Sequence, residues 1–337
     1  MAYTSPIWLP GGHTQTIWSA LYAQCRFMKA LPLVRERWLS PDGDFLDVDR
    51  QSASTPSRPL LVLFHGLEGS SRSHYAQAFA DWAAQHDLNF LVPHFRGCSG
   101  EINTAPRAYH SGDHQEIDWL LKKIRKEHHT AGGNKVVAVG VSLGGNALMC
   151  WAAEQGSFAN KQAEAIASIC SPLDLFSSGQ AIGKGFNRLV YTRMFLQTMK
   201  PKASAKWAQY PGLFDLDAMM AARDLDEFDG VFTAPVHGYK NTMDYWTKAS
   251  AKPLMRQIQL PALALNAIND PFVPASSLPT KKDVSADVEL WQTKQGGHVG
   301  FTQGNWPGHI GALPSKVGQW LIDAAGINQK ERGKVHG

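Results

Sequence analysis

A lone serine flanked by glycines is the residue of this chain best suited to chemistry. It lies in "AVGVSLGGN", residues 138–146, between a run of β-branched residues and a run of good helix formers. The segment matches G-x-S-x-G at a strand-to-helix junction, which is the context that a nucleophilic serine requires. We predict that Ser142 lies on a sharp turn, where side chains at Gly140 and Gly144 would collide with neighbouring backbone. The alternative is a glycine-rich turn in which the serine is incidental.

A nucleophilic serine needs a base, and the base needs a carboxylate that orients it. Asp270 follows the apolar run "LPALALNAIND", and His298 lies in the glycine-rich "QGGHVGF", so the chain order is Ser, acid, His. Both residues follow predicted strands, and parallel strands end at one edge of a sheet, so we expect both beside Ser142. Asp174 in "SPLDLF" is the competing acid. Each of these residues could also be an ordinary loop residue.

The negative charge that forms on the attacked carbonyl oxygen needs backbone donors. One candidate is the N–H of Leu143, directly after the serine. The other is the N–H of Leu67 in "HGLEGSS", the loop that follows the apolar run "PLLVLFHG". We interpret His65 as a residue that shapes this loop rather than as the base.

Other polar clusters indicate no metal and no cofactor. "YHSGDH" brings together His110, Asp113 and His114, but it lacks the ligand spacing of a zinc site, and Asp113 falls in the first turn of a predicted helix. "GQAIGKG" does not match the phosphate-binding pattern G-x-x-x-x-G-K-[ST], and no G-x-G-x-x-G follows a strand. We therefore predict that the protein uses no metal, nucleotide or other cofactor.

The elements that must position these residues alternate between strands and helices. Buried strands are predicted at 59–66, 89–97, 135–142, 163–172, 260–270 and 287–298, with helices at 73–87, 111–129, 143–156 and 313–326. A hairpin at 34–51 turns at Asp42 and Gly43 and could form an antiparallel edge. The pattern predicts an α/β protein with a doubly wound, mostly parallel sheet.

The alternation stops between 173 and 257, where helical patterns occur without a buried strand. We predict an α/β core at 1–172 and 258–329, an inserted helical cap or lid at 173–257, and a basic tail at 330–337. The insertion holds 12 aromatic residues and six of the nine methionines. This is a high content of large apolar side chains for an insertion at the surface. This composition favours an apolar substrate, although the same residues could simply pack the cap onto the core.

Composition narrows the class of protein. The 337 residues are 44% apolar and 18% charged, with a net charge of +4 and no basic stripe, so nucleic acid is not an expected partner. Cys25, Cys98, Cys150 and Cys170 are scattered, as expected of free thiols in a reducing compartment. No signal peptide or membrane-spanning run is recognised, so we expect a cytoplasmic protein for which peripheral membrane contact stays open.

Several longer motifs resemble one family. They are "LPGGHTQTIW", "LFHGLEGSSRSHY", "FRGCSGEINTAPRAYHSGD", "GVSLGGN", "FDGVFTAPVHGYKNTMDYW", "NAINDPFVP" and "GGHVGF". Together they resemble the α/β-hydrolase superfamily, and within it the AB hydrolase 4 (YheT-like) family. The resemblance implies an α/β-hydrolase fold, a charge relay of Ser142, Asp270 and His298, and hydrolysis of carboxylic esters. Animal members act on lipid esters and carry an N-terminal membrane anchor, which we do not expect here.

The sequence thus predicts a serine hydrolase that cleaves carboxylic esters through an acyl-enzyme. Its expected substrates are small or lipid-like esters, with medium or longer acyl chains. An acyltransferase or a thioesterase could use the same residues, because only the acceptor or the leaving group differs. A binding protein that has kept the fold without the chemistry is the rival from another class.

Overall fold

The architecture is one eight-stranded sheet between layers of helices. The computed structural model describes residues 3–23, 32–328 and 331. The strands are β1 (Val34–Leu39), β2 (Phe45–Gln51), β3 (Leu60–Phe64), β4 (Asn89–Pro93), β5 (Val136–Val141), β6 (Ala165–Ile169), β7 (Ala262–Ala267) and β8 (Val288–Thr293). Their order is β1-β2-β4-β3-β5-β6-β7-β8, and β2 alone runs antiparallel to its neighbours. The predicted fold class and the edge hairpin are confirmed.

Strand β5 lies in the middle of the sheet, between β3 and β6, with Val139 paired to Leu63 on one side and to Ala167 on the other. Successive side chains of a strand point to opposite faces. Val136 and Ala138 accordingly belong to one buried apolar layer, whereas the odd-numbered valines of β5 belong to the other. A strand buried on both faces explains the continuous apolar run in the sequence.

The helices are α1 (Gly12–Leu21), α2 (His74–Gln85), α3 (His114–Thr130), α4 (Leu143–Gln155), α5 (Leu175–Ile182), α6 (Gly185–Asn187), α7 (Arg193–Gln209), α8 (Leu216–Ala221), α9 (Leu225–Phe228), α10 (Ala234–Val236), α11 (Thr242–Lys248) and α12 (Ala312–Ala324). π-helical turns at Arg188–Thr192 and Asp229–Thr233 connect some of them. Helices α3 and α4 cover one face of the sheet through residues such as Ile124 and Trp151. Helices α2 and α12 cover the other face.

Helices α5 to α11 all lie between β6 and β7, and the described chain has no strand there. Part of this insertion has its own apolar cluster, which includes Leu196, Met219, Phe228 and Phe232. We call helices α5 to α11 the cap; that they form a separate lid with boundaries at 173 and 257 stays a prediction. Of the predicted tail 330–337, all but Glu331 lies outside the described residues.

Helix α1 is an element that the periodicity did not predict. Its buried residues are polar, namely Gln15, Thr16 and Ser19, so no apolar face marks it in the sequence. Among the cysteines, Cys98, Cys150 and Cys170 are free, and Cys25 lies outside the described residues. Over the described ranges, no helix combines the length and the apolar character needed to cross a bilayer.

Candidate active site

Ser142 occupies a strained turn between the end of β5 and the start of α4. Its φ is +53° and its ψ is −119°, a conformation that side-chain-bearing residues rarely adopt. Its N–H donates to the carbonyl oxygen of Ile169 at 2.8 Å, which ties the turn to the end of β6. The strain is therefore held by the sheet, and the hydroxyl is presented at the carboxyl edge of the central strand.

The glycines of the motif are required by close backbone contacts. A Cβ on Gly144 would lie 2.5 Å from the carbonyl oxygens of Phe64 and His65. A Cβ on Gly140 would lie 2.5 Å from the carbonyl oxygen of Gly144. Helix α4 can thus approach β3 and β5 only because both positions lack side chains. The collision predicted from the sequence is confirmed.

The structure brings Ser142, His298 and Asp270 together in one hydrogen-bonded chain. The Nε2 atom of His298 lies 3.0 Å from Oγ of Ser142, and its Nδ1 atom lies 2.8 Å from Oδ2 of Asp270. The carboxyl group of Asp270 is buried, and its Oδ1 accepts the N–H groups of Phe272 at 2.8 Å and Val273 at 3.3 Å. If Nδ1 carries the proton, the lone pair of Nε2 points to the serine hydroxyl. The arrangement can take a proton from Ser142.

The competing acid, Asp174, has a different position. It is the N-cap of α5, where Oδ1 accepts the Ser177 N–H at 3.0 Å and Oδ2 accepts the Ser177 hydroxyl at 2.9 Å. Asp and Ser are common at helix starts because they satisfy N–H groups that have no partner within the helix. The structure gives Asp174 a role in starting the helix and does not bring it to His298.

The loop that carries His298 is held from outside by three side chains. Successive N–H groups of residues 296–298 donate to Oε1 of Gln15 at 2.9 Å, Oδ1 of Asn269 at 3.0 Å and Oγ1 of Thr16 at 2.8 Å. Oε1 of Gln15 also accepts the Asn269 amide at 2.9 Å, which joins the acid loop to the histidine loop. The sequence analysis missed these residues; polar side chains at helical spacing in α1 are the one signal for Gln15 and Thr16, and Asn269 has none.

Leu67 and Leu143 lie beside the serine, as the sequence predicted for a pair of backbone donors. Leu143 is the first residue of α4, and the first N–H groups of a helix have no acceptor within that helix. The Leu67 loop touches the serine turn, because a Cβ on Gly66 would lie 3.1 Å from the Cβ of Ser142. Ser142, Leu67 and Leu143 line the same cavity.

His65 is fixed by the backbone on both sides of its ring. Its Nε2 accepts the Phe95 N–H at 3.0 Å, so Nδ1 carries the proton and donates to the Gly66 carbonyl at 2.8 Å. Complete burial lowers the pKa of His65 to about 3, so the ring is neutral at physiological pH. Both nitrogens are used to shape the Leu67 loop, which agrees with the interpretation from the sequence.

A large cavity opens at Ser142 between the sheet and the cap. Its empty space is about 1220 Å³, which includes open solvent at its mouth, and it is lined by residues of both parts. The cap side is largely apolar and includes Leu175, Ile182, Phe195, Met199, Phe228 and Phe232. Ligand sites are typically apolar pockets with a few converging polar groups, and this cavity fits that description.

A family model described as alpha/beta hydrolase fold matches residues 59–304. This chain belongs to the α/β-hydrolase family. The chain is also 37% identical over 313 residues to YheT of Escherichia coli (strain K12), which is named only as a candidate esterase. That alignment covers 92% of this chain and 89% of YheT, and it supports the YheT-like branch inferred from the motifs.

More distant relatives and solved structures are also similar to this chain. The hydrolase is 28% identical to human phospholipase ABHD3 over 268 residues, which are 78% of this chain and 64% of ABHD3. It therefore spans less than two thirds of that relative. It also resembles an esterase of Pyrococcus furiosus, Pf2001, with a TM-score of 0.57 and 14% identity over 87% of this chain and 91% of that one. At that identity the likeness shows the fold alone.

The "YHSGD" segment of this α/β hydrolase joins the core to the cap. The Ser111 N–H donates to the hydroxyl of Tyr245 in α11 at 2.9 Å, and its carbonyl accepts the Asn146 amide of α4 at 2.8 Å. The His110 ring lies 4.5 Å from the ring of His237, and burial lowers the pKa of His110 to about 3. Asp113 pairs with Arg107. The contacts of Ser111 with Tyr245 and of His110 with His237 link residues far apart in the chain, so spacing alone could not reveal them.

A charged contact also links the cap to the Leu67 loop. Nζ of Lys202 in α7 lies 2.8 Å from Oε2 of Glu68, and the Tyr109 hydroxyl donates to Oε1 of Glu68 at 3.0 Å. The Glu68 N–H in turn donates to the same hydroxyl at 2.9 Å. Glu68 has a φ of +57°, so side-chain contacts stabilise an unusual backbone conformation next to Leu67.

Proposed function

We propose that this α/β hydrolase cleaves carboxylic esters, with Ser142 as the nucleophile. The observation that carries the proposal is the hydrogen-bonded chain from the buried Asp270 through His298 to Ser142 at the wall of an apolar cavity. The printed names of the relatives, which include a phospholipase and a yeast monoacylglycerol lipase, support ester chemistry. A serine at this turn disfavours hydrolases whose nucleophile is a carboxylate.

In the first step, Oγ of Ser142 attacks the ester carbonyl while Nε2 of His298 takes the hydroxyl proton. Asp270 holds the imidazole in position and stabilises its positive charge. The N–H groups of Leu67 and Leu143 donate to the oxyanion of the tetrahedral intermediate. The C–O bond to the alcohol then breaks, and His298 returns the proton to the departing alkoxide.

In the second step, water deprotonated by His298 attacks the acyl-Ser142 ester and releases the acid. The water proton passes through His298 to Oγ of Ser142, which restores the starting state. We infer that the apolar cap side of the cavity receives a medium-length or longer acyl chain, because contacts with apolar walls favour such chains. In this proposal residues 173–257 form the lid over the site.

A chain-length series of p-nitrophenyl esters, from acetate to palmitate, tests the proposal. Ser142→Ala should lower kcat by about 10⁴-fold or more, because the three residues act as a unit. Ser315→Ala, which removes an exposed serine on α12, is the matched control and should keep wild-type kcat. A fluorophosphonate should label the wild type and the control at Ser142 and leave Ser142→Ala unlabelled.

Each result has a definite meaning for the proposal. Full turnover by Ser142→Ala would overturn the nucleophile. A wild-type protein that neither hydrolyses the series nor takes the fluorophosphonate would favour a binding role for the fold. Transfer of the acyl group to an added alcohol or thiol in preference to water would favour an acyltransferase.

A further inference from the structure

One stretch of the cap sequence carries charges of a single sign. Residues 175–214 contain six lysines and arginines and no aspartate or glutamate. The chain there is helical from Gly185 to Gln209, through α6, the turn Arg188–Thr192 and α7. All charged residues of this helical segment are lysines and arginines. Its side that faces solvent determines which other molecules the segment can contact.

That solvent side presents large apolar side chains. Phe186 is 50% exposed, Leu189 73%, Val190 37% and Met194 50%. We call these four residues the apolar patch. Residues 186, 190 and 194 recur every four positions, which places them along one face of a helix. Single exposed apolar residues are common on proteins, but a group on one face rimmed by polar groups is typical of an interaction surface.

The apolar patch adjoins the proposed active site. The ring of Phe186 lies 4.7 Å from the ring of His13 in α1. The Asn187 amide donates to the carbonyl oxygen of Pro271, directly after Asp270, at 2.6 Å. Tyr191, on the inner side, packs its ring 4.6 Å from the ring of Phe272. A surface that contacted the patch would therefore lie next to the acid loop.

Exposed cations surround the apolar patch. Lys184, Arg188 and Arg193 are exposed, and none of them forms an ion pair within the part of the chain that the structure describes. Glu227 forms an ion pair with Arg223, and hydrogen bonds from Arg223 are the main reason that the pKa of Glu227 is lowered. The charge of Arg188 contributes less to that shift. The three cations are therefore available to an external anion.

We propose that the apolar patch and its cations dock the protein on an anionic lipid surface. Phe186, Leu189, Val190 and Met194 would enter the boundary between headgroups and acyl chains, where exposed apolar side chains leave water. The long side chains of Lys184, Arg188 and Arg193 would reach the phosphate groups while their methylenes cover apolar surface. Charge complementarity favours this partner over an uncharged apolar one. The proposal goes beyond ester cleavage, because docking requires no reaction.

Flotation with vesicles measures docking directly. Full-length protein should bind vesicles of equal parts phosphatidylglycerol and phosphatidylcholine, bind pure phosphatidylcholine weakly, and be released by salt. The double variant Arg188→Gln, Arg193→Gln should weaken binding about 25-fold, because each cation near an anionic surface contributes about fivefold. The double variant Leu189→Ser, Met194→Ser should weaken binding about tenfold or more, since less apolar area leaves water.

Control variants at other surfaces test whether binding depends on the apolar patch itself or only on the total charge and exposed apolar area of the protein. Lys126→Gln with Lys161→Gln removes the same charge from another basic surface, which precedes β5 and β6 and so lies at the opposite edge of the sheet. Leu39→Ser removes a side chain that is 78% exposed on β1. Both variants should bind within about twofold of wild type, because the changed residues lie away from the proposed docking surface.

The proposal is overturned if wild-type protein shows no preference for anionic vesicles. It is also overturned if the two patch variants bind as wild type, or if Lys126→Gln with Lys161→Gln loses as much binding as the arginine variant. A concentration-dependent dimer that Leu189→Ser with Met194→Ser abolishes would assign the apolar patch to a second copy of the chain. Ser142→Ala should dock as wild type does, so a failure of docking and a failure of the catalytic proposal are told apart.

Discussion

The hydroxyl of Thr16 makes the most sharply testable contact of the proposed active site. It accepts the N–H of His298 at 2.8 Å and donates to the carbonyl oxygen of Gly12 at 2.7 Å, within α1. Thr16→Val keeps the shape of the side chain and removes both hydrogen bonds. The imidazole, the carboxylate and the serine stay unchanged, so any effect on turnover must come through the position of His298.

The size of the effect follows from the contacts. A partly buried N–H that loses its acceptor costs about 1–3 kcal/mol, which the His298 loop can reduce by moving toward another acceptor or water. The loop keeps its two other external acceptors, so we expect a displacement on the order of 1 Å rather than unfolding. A displacement of that size at a reacting group costs up to about 10²-fold in rate. We therefore expect kcat to fall about 10- to 100-fold, with KM within about twofold.

The assay compares kcat and KM on the best p-nitrophenyl ester with the urea-unfolding free energy of each variant. Thr16→Ser keeps the hydroxyl and should retain most of the wild-type kcat. Ser19→Ala is the matched control: Ser19 is buried one turn further along α1, and its Oγ lies 2.6 Å from Oγ1 of Thr302, beyond His298 in the same loop. It should lower stability by about 1–2 kcal/mol while leaving kcat within about twofold.

Three results would refute the reasoning about Thr16. Wild-type kcat in Thr16→Val would show that the hydroxyl does not position His298. An equal loss of kcat in Ser19→Ala would show that general attachment of α1, rather than this contact, matters. A loss in Thr16→Ser equal to that in Thr16→Val would show that keeping the hydroxyl is not sufficient, so the effect could not be assigned to its hydrogen bond with His298.

Two further predictions concern the acids. Asp270→Asn should lower kcat about 10⁴-fold with little change in the unfolding free energy. An amide favours the tautomer of His298 that carries hydrogen on Nε2, and in that tautomer Nε2 cannot accept the serine proton. A kcat near that of wild type would contradict the role of Asp270. Asp229 lines the cavity, accepts hydrogen bonds from Thr233 and Trp246, and has its pKa raised to about 6 by burial. It takes up a proton on folding between about pH 4 and about pH 6, so its contribution to the unfolding free energy should fall by up to about 3 kcal/mol as pH rises through this window. Urea unfolding at several pH values should show a smaller fall in Asp229→Asn, and an identical pH dependence would contradict burial as the cause.

Local sequence was sufficient to predict which residues the sheet brings together. Ser142, Asp270 and His298 each follow a strand that is apolar enough to recognise, and parallel strands place their carboxyl ends on one edge. The close approach at Gly144 was predictable for the same reason, since a strand-to-helix turn leaves no room for a side chain. Their catalytic roles, unlike their proximity, await the kinetic tests.

Contacts made through buried polar side chains could not be predicted in this way. Helix α1 buries Gln15, Thr16 and Ser19, so it has no apolar periodicity to detect, although its polar residues recur at helical spacing. The hydrogen bond between Ser111 and Tyr245 joins positions 134 residues apart, and only the folded cap brings them together. Spacing in sequence carries no information about such partners.

Helix α1 adds a connection that the matched fold region lacks. It precedes residues 59–304, yet it touches the acid loop through Gln15, the histidine loop through Thr16 and the cap through His13, whose Nδ1 lies 3.1 Å from the Tyr191 hydroxyl. One helix thus contacts the acid loop, the histidine loop and the inserted helices. Tyr191 lies on the inner side of the helical segment that carries the apolar patch, so contacts run from that segment through His13 and Thr16 of α1 to His298. The surface proposed to dock on lipid and the histidine proposed as the base are therefore joined by direct contacts through α1.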